Sequence, residues 1–271
     1  MTLLDLTDEA RDAHRVRRIG PFVEHIRCDN PGAMELTGTN TWLLKAPRAS
    51  THIVVDPGPL GHEAHLVAIA AGRLIDQVLI THGHYDHVGG LDDFVALTGA
   101  TVRAWDPEHC RDAPPLTDGE IIEASGLRLE VMHTPGHTRD SVCFLIDDPR
   151  DRVMVTGDTV LGTGSTLLFD DDDALGNYLE TLDRLEQVGS ARMLPGHGPA
   201  RPDMAPIVRE YREHRHHRLD RLREHLRARS LSPEQADPED IIDALYGDKP
   251  PTLRFAAGLT VRAQLAYLRA G

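Results

Sequence analysis

Short apolar runs recur along this chain, and four of them end in a polar fragment of one type. Val78-Leu-Ile80, Leu129-Glu-Val-Met132, Val153-Met-Val155 and Met193-Leu194 have the length and side-chain types of buried or half-buried strands. Directly behind them stand Thr81-His-Gly-His-Tyr-Asp-His87, Thr134-Pro-Gly-His137, Thr156-Gly-Asp158 and Pro195-Gly-His-Gly198. Thr39 to Ala46 and His52 to Val55 predict a strand pair leading to Asp56-Pro-Gly58. His87-Val-Gly-Gly90 opens a helix predicted through Leu97, its amino end facing anions. Asp173 fits the N-cap of a further helix starting at Ala174. After Pro206 the pattern becomes helical: Val208, Tyr211, Leu219, Leu222 and Leu226 form an apolar stripe. Ser232-Pro233 breaks it, Asp237-Pro-Glu-Asp-Ile-Ile242 starts a second helix, and Thr252 to Arg269 reads as a third. The expected organisation is a catalytic domain over 1–205 and a helical module over 206–271.

The polar fragments carry the chemistry. A catalytic metal ion needs about three protein ligands and an open position, so two adjacent ions need roughly six or seven side chains. Seven are on offer. His82 and His84, two apart on a turn, reach one ion that His137 completes. Asp86 and His87 face a second ion that His197 completes, and Asp158 has the two oxygens a bridge requires. Imidazole and carboxylate without thiolate suit Zn2+, Fe2+ or Mn2+, and zinc is the first choice. Asp56 either holds the histidine loop by hydrogen bonds or merely starts a turn. The chain has 16 histidines, and His14, His25, His52, His62, His65, His109, His133 and His225 read as solvated or structural. Asp170 to Asp173, four carboxylates without a histidine, read as a solvated helix start, and Leu161 to Phe169 as a loop beside the pocket.

Composition narrows the class. At 271 residues the chain can form one sizeable domain and a small one. With 40% hydrophobic residues, a mean hydropathy of −0.33 and no apolar run near the roughly 20 residues of a membrane span, no membrane role is expected. Met1 to Ala10 lacks the basic start and apolar stretch of a secretory signal. Cys28, Cys110 and Cys143 are unpaired in spacing, which points to reduced thiols and a cytoplasmic location. Ile207 to Arg229 holds eight arginines against four carboxylates, so the remainder of a chain of net charge −14 carries −18. Such a segment suits phosphate contact, and it equally suits a salt-bridged helix.

On the fragments around His82, His84, Asp86, His87, His137, Asp158 and His197 the chain resembles the metallo-β-lactamase superfamily. The resemblance implies an α/β fold of the α+β type: a four-layer αββα sandwich, with a C-terminal helical, winged-helix-like module. The chain stops at Gly271, where a wing hairpin would begin, so the wing is expected to be shortened or missing. Asp158 stands where many true zinc β-lactamases use a thiolate, which argues against antibiotic hydrolysis. Gly83 and the Gly196-His-Gly-Pro199 end depart from the glyoxalase II pattern. Gly38-Thr-Asn-Thr-Trp-Leu-Leu44, Thr134 to Asp140, Gly157 to Thr166 and Tyr211-Arg-Glu-His-Arg215 are similar to the β-lactamase-like protein 2 family. That family's best-known members are single-strand endoribonucleases. The expected activity is a dinuclear metal-dependent hydrolase cleaving single-stranded RNA through a metal-activated hydroxide, with Asp86 and Asp158 catalytic. A glyoxalase II-like hydrolase of a small thioester or ester is the alternative.

Overall fold

The computed structural model describes residues 14–169, 173–248 and 250–270. Met1 to Ala10 and the aspartates Asp170, Asp171 and Asp172 lie outside the described residues. The remainder groups into two compact units: one runs to His133 and adds 140–164 and 190–204, and the other comprises 134–139, 165–189 and the chain from Ala205.

The first unit is built on two mixed sheets. One joins β1 (Arg17–Arg18), β2 (Val23–Arg27), β3 (Asn40–Leu44), β4 (Thr51–Val55), β5 (Leu74–Leu79) and β6 (Thr101–Arg103) in chain order. Its pairs are antiparallel up to β4 and parallel beyond. The other is ordered β11 (Arg192–Pro195), β10 (Asp151–Gly157), β9 (Val142–Asp148), β8 (Leu127–His133) and β7 (Ile121–Ala124), with only β10 and β11 parallel.

The alternation of side chains explains the layering, because neighbouring positions of a strand face opposite sides. Trp42, Leu44, Ile53, Val55 and Leu79 meet Leu129, Val131, Phe144, Ile146, Val153 and Val155 in one core between the sheets. Leu43, Val54, Val78 and Ile80 point the other way, against Leu66 and Ile69 of α1 (Glu63–Ala70) and Leu91 and Phe94 of α3 (Leu91–Thr98). The central strands are therefore apolar on both faces. The helix expected from His87 to Leu97 is instead two: α2 (Tyr85–Val88) and α3, parted by Gly89-Gly90. Glycine is a poor helix former, and the Gly90 N–H donates to the Gly58 carbonyl at 2.8 Å.

The second unit contains α4 (Ala174–Val188), α5 (Ala205–Ala228), α6 (Pro238–Tyr246) and α7 (Pro251–Ala270). Asp173 caps α4, accepting from the Gly176 N–H at 3.2 Å. Asp237 caps α6 through the Glu239 N–H at 2.8 Å, with Pro238 at the first helical position. Leu222 and Leu226 of the stripe pack with Ile241, Ile242, Tyr246, Val261 and Leu265. Among the described residues no strand follows β11, and no helix is long and apolar enough to cross a membrane.

Candidate metal centre

Parallel neighbours end at the same edge of a sheet, and two such pairs, β4 with β5 and β10 with β11, carry the polar fragments of the first unit. Asp56 follows β4, Thr81 to His84 follow β5 and lead into α2, Asp158 follows β10 and His197 follows β11. Six of the seven expected donors belong to this unit, and they converge. Ligand atoms of Asp86, His87 and His197 lie within 4.8 Å of one another, as do those of His82, His87 and Asp158. The rings of His82 and His84 are 4.7 Å apart, centre to centre.

Hydrogen bonds decide which nitrogen each imidazole offers. Asp56, buried and at φ 55°, accepts from the Thr81 N–H at 2.8 Å and the Thr81 hydroxyl at 2.7 Å. The same carboxylate accepts the Nδ1–H of His87 at 2.8 Å. Because the Thr81 hydroxyl donates its one proton to Asp56, its oxygen accepts from His82 Nδ1, 3.0 Å away. His197 Nδ1 faces the Gly38 carbonyl at 3.4 Å, which can only accept. All three rings thus spend Nδ1–H on the scaffold and present Nε2, the tautomer selection that outer partners impose on metal-binding histidines. Asp56 is the holding carboxylate, not merely a turn former.

The presented atoms form a nest of acceptors. Asp86 Oδ2 is 3.2 Å from His87 Nε2 and 3.1 Å from His197 Nε2, and those two nitrogens are 3.4 Å apart. Asp158 adds oxygens at 3.6 Å from His87 Nε2 and 3.2 Å from His197 Nε2. A tetrahedral ion with bonds of about 2.0–2.2 Å keeps its donor atoms about 3.3–3.6 Å apart. The triangle, with sides of 3.1–3.4 Å, comes within about 0.2 Å of one face of such a tetrahedron, so these residues fit a divalent cation. Electrostatics agree. Burial alone would lower the imidazole pKa values, but Asp86, Asp158 and Asp56 outweigh it and hold His87 well above its ordinary value. His197 is likewise raised, to about 9, chiefly by Asp158 against the cost of burial. Burial opposes ionisation of Asp86 and Asp158 too, yet the adjacent imidazoles keep both far below the usual carboxylate range. The nest demands positive charge at its centre.

The seventh donor, His137, lies in the second unit. It is buried there, and its Nδ1 donates to the Leu167 carbonyl at 2.9 Å, so this ring also presents Nε2.

Residues at the start of β3 hold the nest in place, and the chemistry-first reading of the chain gave them no role. Asn30 Nδ2 donates to the Thr39 hydroxyl at 2.9 Å, and that hydroxyl donates to Asp86 Oδ2 at 2.9 Å. Asn40 Nδ2 donates to the carbonyls of Pro195 and Gly198 at 2.9 and 2.8 Å, clasping the His197 loop from both sides. Trp42 Nε1 also reaches the Pro195 carbonyl, at 3.1 Å. A Cβ at Gly196 would collide with Asp158 Oδ1 and stand 2.8 Å from His87 Cε1, so only glycine admits this close approach. The available signal was Thr39-Asn-Thr41, polar residues opening a strand that is buried throughout.

The profile described as the Metallo-beta-lactamase superfamily matches residues 34–197, well over half of the chain. The chain belongs to the metallo-beta-lactamase superfamily. It is 31% identical over 245 residues to an atrochrysone carboxyl ACP thioesterase of Aspergillus chevalieri, covering 87% of this chain and 76% of that one. It is 29% identical over 265 residues to a beta-lactamase-like protein 2 homolog of Caenorhabditis elegans, covering 93% and 86%. In fold it resembles the crystal structure of a metallo-beta-lactamase family protein from Thermus thermophilus. That likeness has a TM-score of 0.73 at 23% identity and covers 92% of this chain and 94% of that one. Two mixed sheets with helices, and acidic and imidazole donors gathered at one edge, are accordingly the fold and candidate site of a metallo-beta-lactamase superfamily hydrolase.

Proposed function

We propose that His82, His84, Asp86, His87, His137, Asp158 and His197 hold two divalent cations, zinc by donor chemistry, and that the protein hydrolyses a thioester. The observation that carries the metal reading is the Asp86–His87–His197 triangle with its Nδ1 atoms already spent. When bound, such a pair supplies Lewis acidity and a nucleophilic water near neutral pH. The residues do the rest. Asp86, ionised and fixed by Thr39, accepts a hydrogen bond from the attacking water and orients it. Asp158, with one oxygen 3.6 Å from His87 Nε2 and the other 3.2 Å from His197 Nε2, would join the donors that hold the cations.

Charge supports an acyl substrate. Phosphate binding requires cations that the protein has not already neutralised. Of the eight arginines from Ile207 to Arg229, Arg212 is paired with Asp183 and Glu186, Arg223 with Asp220, Arg215 is buried, and Arg218 and Arg221 lie over the Tyr246 ring, which leaves three without such a partner among the described residues, Arg209, Arg227 and Arg229. A thiol also leaves more readily than an alcohol, since its pKa is about 8.5, so no dedicated acid is needed. The resemblance to the thioesterase relative over 76% of its length points the same way. The second reading, cleavage of single-stranded RNA, is favoured by the likeness to the beta-lactamase-like protein 2 homolog over 93% of this chain.

Metal-loaded protein assayed against S-acyl glutathione, labelled single-stranded RNA and a chromogenic phosphodiester separates the two, with His84→Ala as control. Thioester turnover that disappears in the mutant is the expected result. RNA cleavage alone, also abolished by the mutation, moves the assignment to the second reading.

A further inference from the structure

The second unit gathers the His137 loop, the Ser165–Leu167 segment and two helices, α4 and α5, around one cation that takes no part in the nest of donors. Arg215, on α5, occupies a position of the apolar stripe between Tyr211 and Leu219 and is 3% exposed. Among the described residues it pairs with no carboxylate. Its Nη2 donates to the Thr166 carbonyl and to the Ser165 hydroxyl, the latter at 3.2 Å, while its guanidinium lies 5.1 Å from the centre of the Tyr178 ring on α4. Burying a guanidinium without a counter-ion is costly, so a residue kept in that state needs a reason.

Both groups Arg215 grips touch the His137 loop. Thr166 precedes Leu167, whose carbonyl takes the Nδ1–H of His137 at 2.9 Å. Tyr178 underlies Gly136, at φ 138°, where a Cβ would stand 2.7 Å from the tyrosine Cα. One turn further along α4 the Thr181 hydroxyl donates to the Pro135 carbonyl at 2.9 Å. The two residues before His137 and the partner of its ring are thus fastened to a scaffold that closes on one guanidinium.

We propose that Arg215 is a positioning residue for His137: it fixes the Ser165–Leu167 segment so that the Leu167 carbonyl holds the ring with Nε2 presented. The inference rests on the reading of His137 as a metal ligand. It gives the arginine of Tyr211-Arg-Glu-His-Arg215 a part in building the centre, distinct from the surface charge of its neighbours.

The test is equilibrium competition for Zn2+ and for Co2+ between metal-free full-length protein and a chromophoric chelator, resolving successive binding events. The visible Co2+ spectrum is recorded alongside. His137→Ala identifies the event that depends on that ring. Arg215→Gln is expected to weaken that same event about tenfold or more, the usual cost of losing an outer partner, and to change its Co2+ spectrum. The other event stays at its wild-type affinity. Arg215→Lys, which keeps the charge but not the planar donor group, falls between the two. If Arg215→Gln does not fold, Arg215→Lys decides on the same criterion. Arginine variants that leave both affinities and the spectrum unchanged, while His137→Ala loses one event, overturn this inference alone. If His137→Ala itself loses nothing, the metal reading of His137 falls and the inference with it.

Discussion

Asp56 shows how much one side chain settles. It sits in the left-handed backbone region, tolerated by aspartate better than by most residues, and accepts three hydrogen bonds from Thr81 and His87 while buried. Asp56→Asn puts an amide N–H against these donors, so the His87 ring loses the contact that selects its tautomer. Metal affinity and kcat/KM are expected to fall by about 10–100-fold, with circular dichroism of the metal-free protein unchanged. Chelator competition and steady-state rates measure this; wild-type values for both would mean the carboxylate only shapes the turn. Asp56 stood out in the sequence because Asp-Pro-Gly follows a strand. Thr81 did not, since a hydroxyl that passes a hydrogen bond from His82 to Asp56 leaves no spacing to read.

At the scale of elements, β3 does for the His197 loop what Asp56 does for the histidine turn. Asn40 spends its amide on two carbonyls of that loop and accepts from His25 Nε2 at 2.7 Å. Asn40→Ala strands these three partners, each lost bond costing about 1–3 kcal/mol, so urea unfolding of the metal-free protein should register a loss of about 3 kcal/mol or more. A loss within about 0.5 kcal/mol would show that water replaces the amide. The strands that carry ligands were legible because an apolar run followed by histidine or aspartate is local. The clasp was not, because Asn40 and Pro195 are 155 residues apart in the chain. For the same reason Arg215 read as one more charge on a basic helix, although its place in the stripe at 211, 215 and 219 marked it as inward-facing. The predicted helix at 87–97 missed its break because Gly89-Gly90 is halted by a loop at Gly58, an interaction invisible to periodicity.

Over the whole molecule, the histidines outside the nest make stability depend on acid in a definite direction. Burial lowers the pKa of His25 to about 4 and that of His65 to about 3. The Thr41 hydroxyl donates to the Asp56 carbonyl at 2.6 Å, so its oxygen accepts from His65 Nε2 at 2.9 Å and the proton of the neutral ring sits on that nitrogen. Between about pH 6.5 and 4 the unfolded chain takes up protons on these rings while the folded chain does not, so stability falls as pH falls through this window. The nest contributes the opposite slope elsewhere. His197, raised to about 9, stabilises the metal-free fold below about pH 6.5 and loses that contribution as pH rises toward 9. Metal-free protein should therefore be most stable near pH 6.5. His25 alone, shifted from 6.5 to about 4, accounts for on the order of 3 kcal/mol of the acid loss. His25→Gln, whose amide N–H can replace the bond to Asn40, should flatten the decline between about pH 6.5 and 4.5 when unfolding free energy is followed in urea. A mutant with the wild-type slope would place the acid sensitivity in other groups.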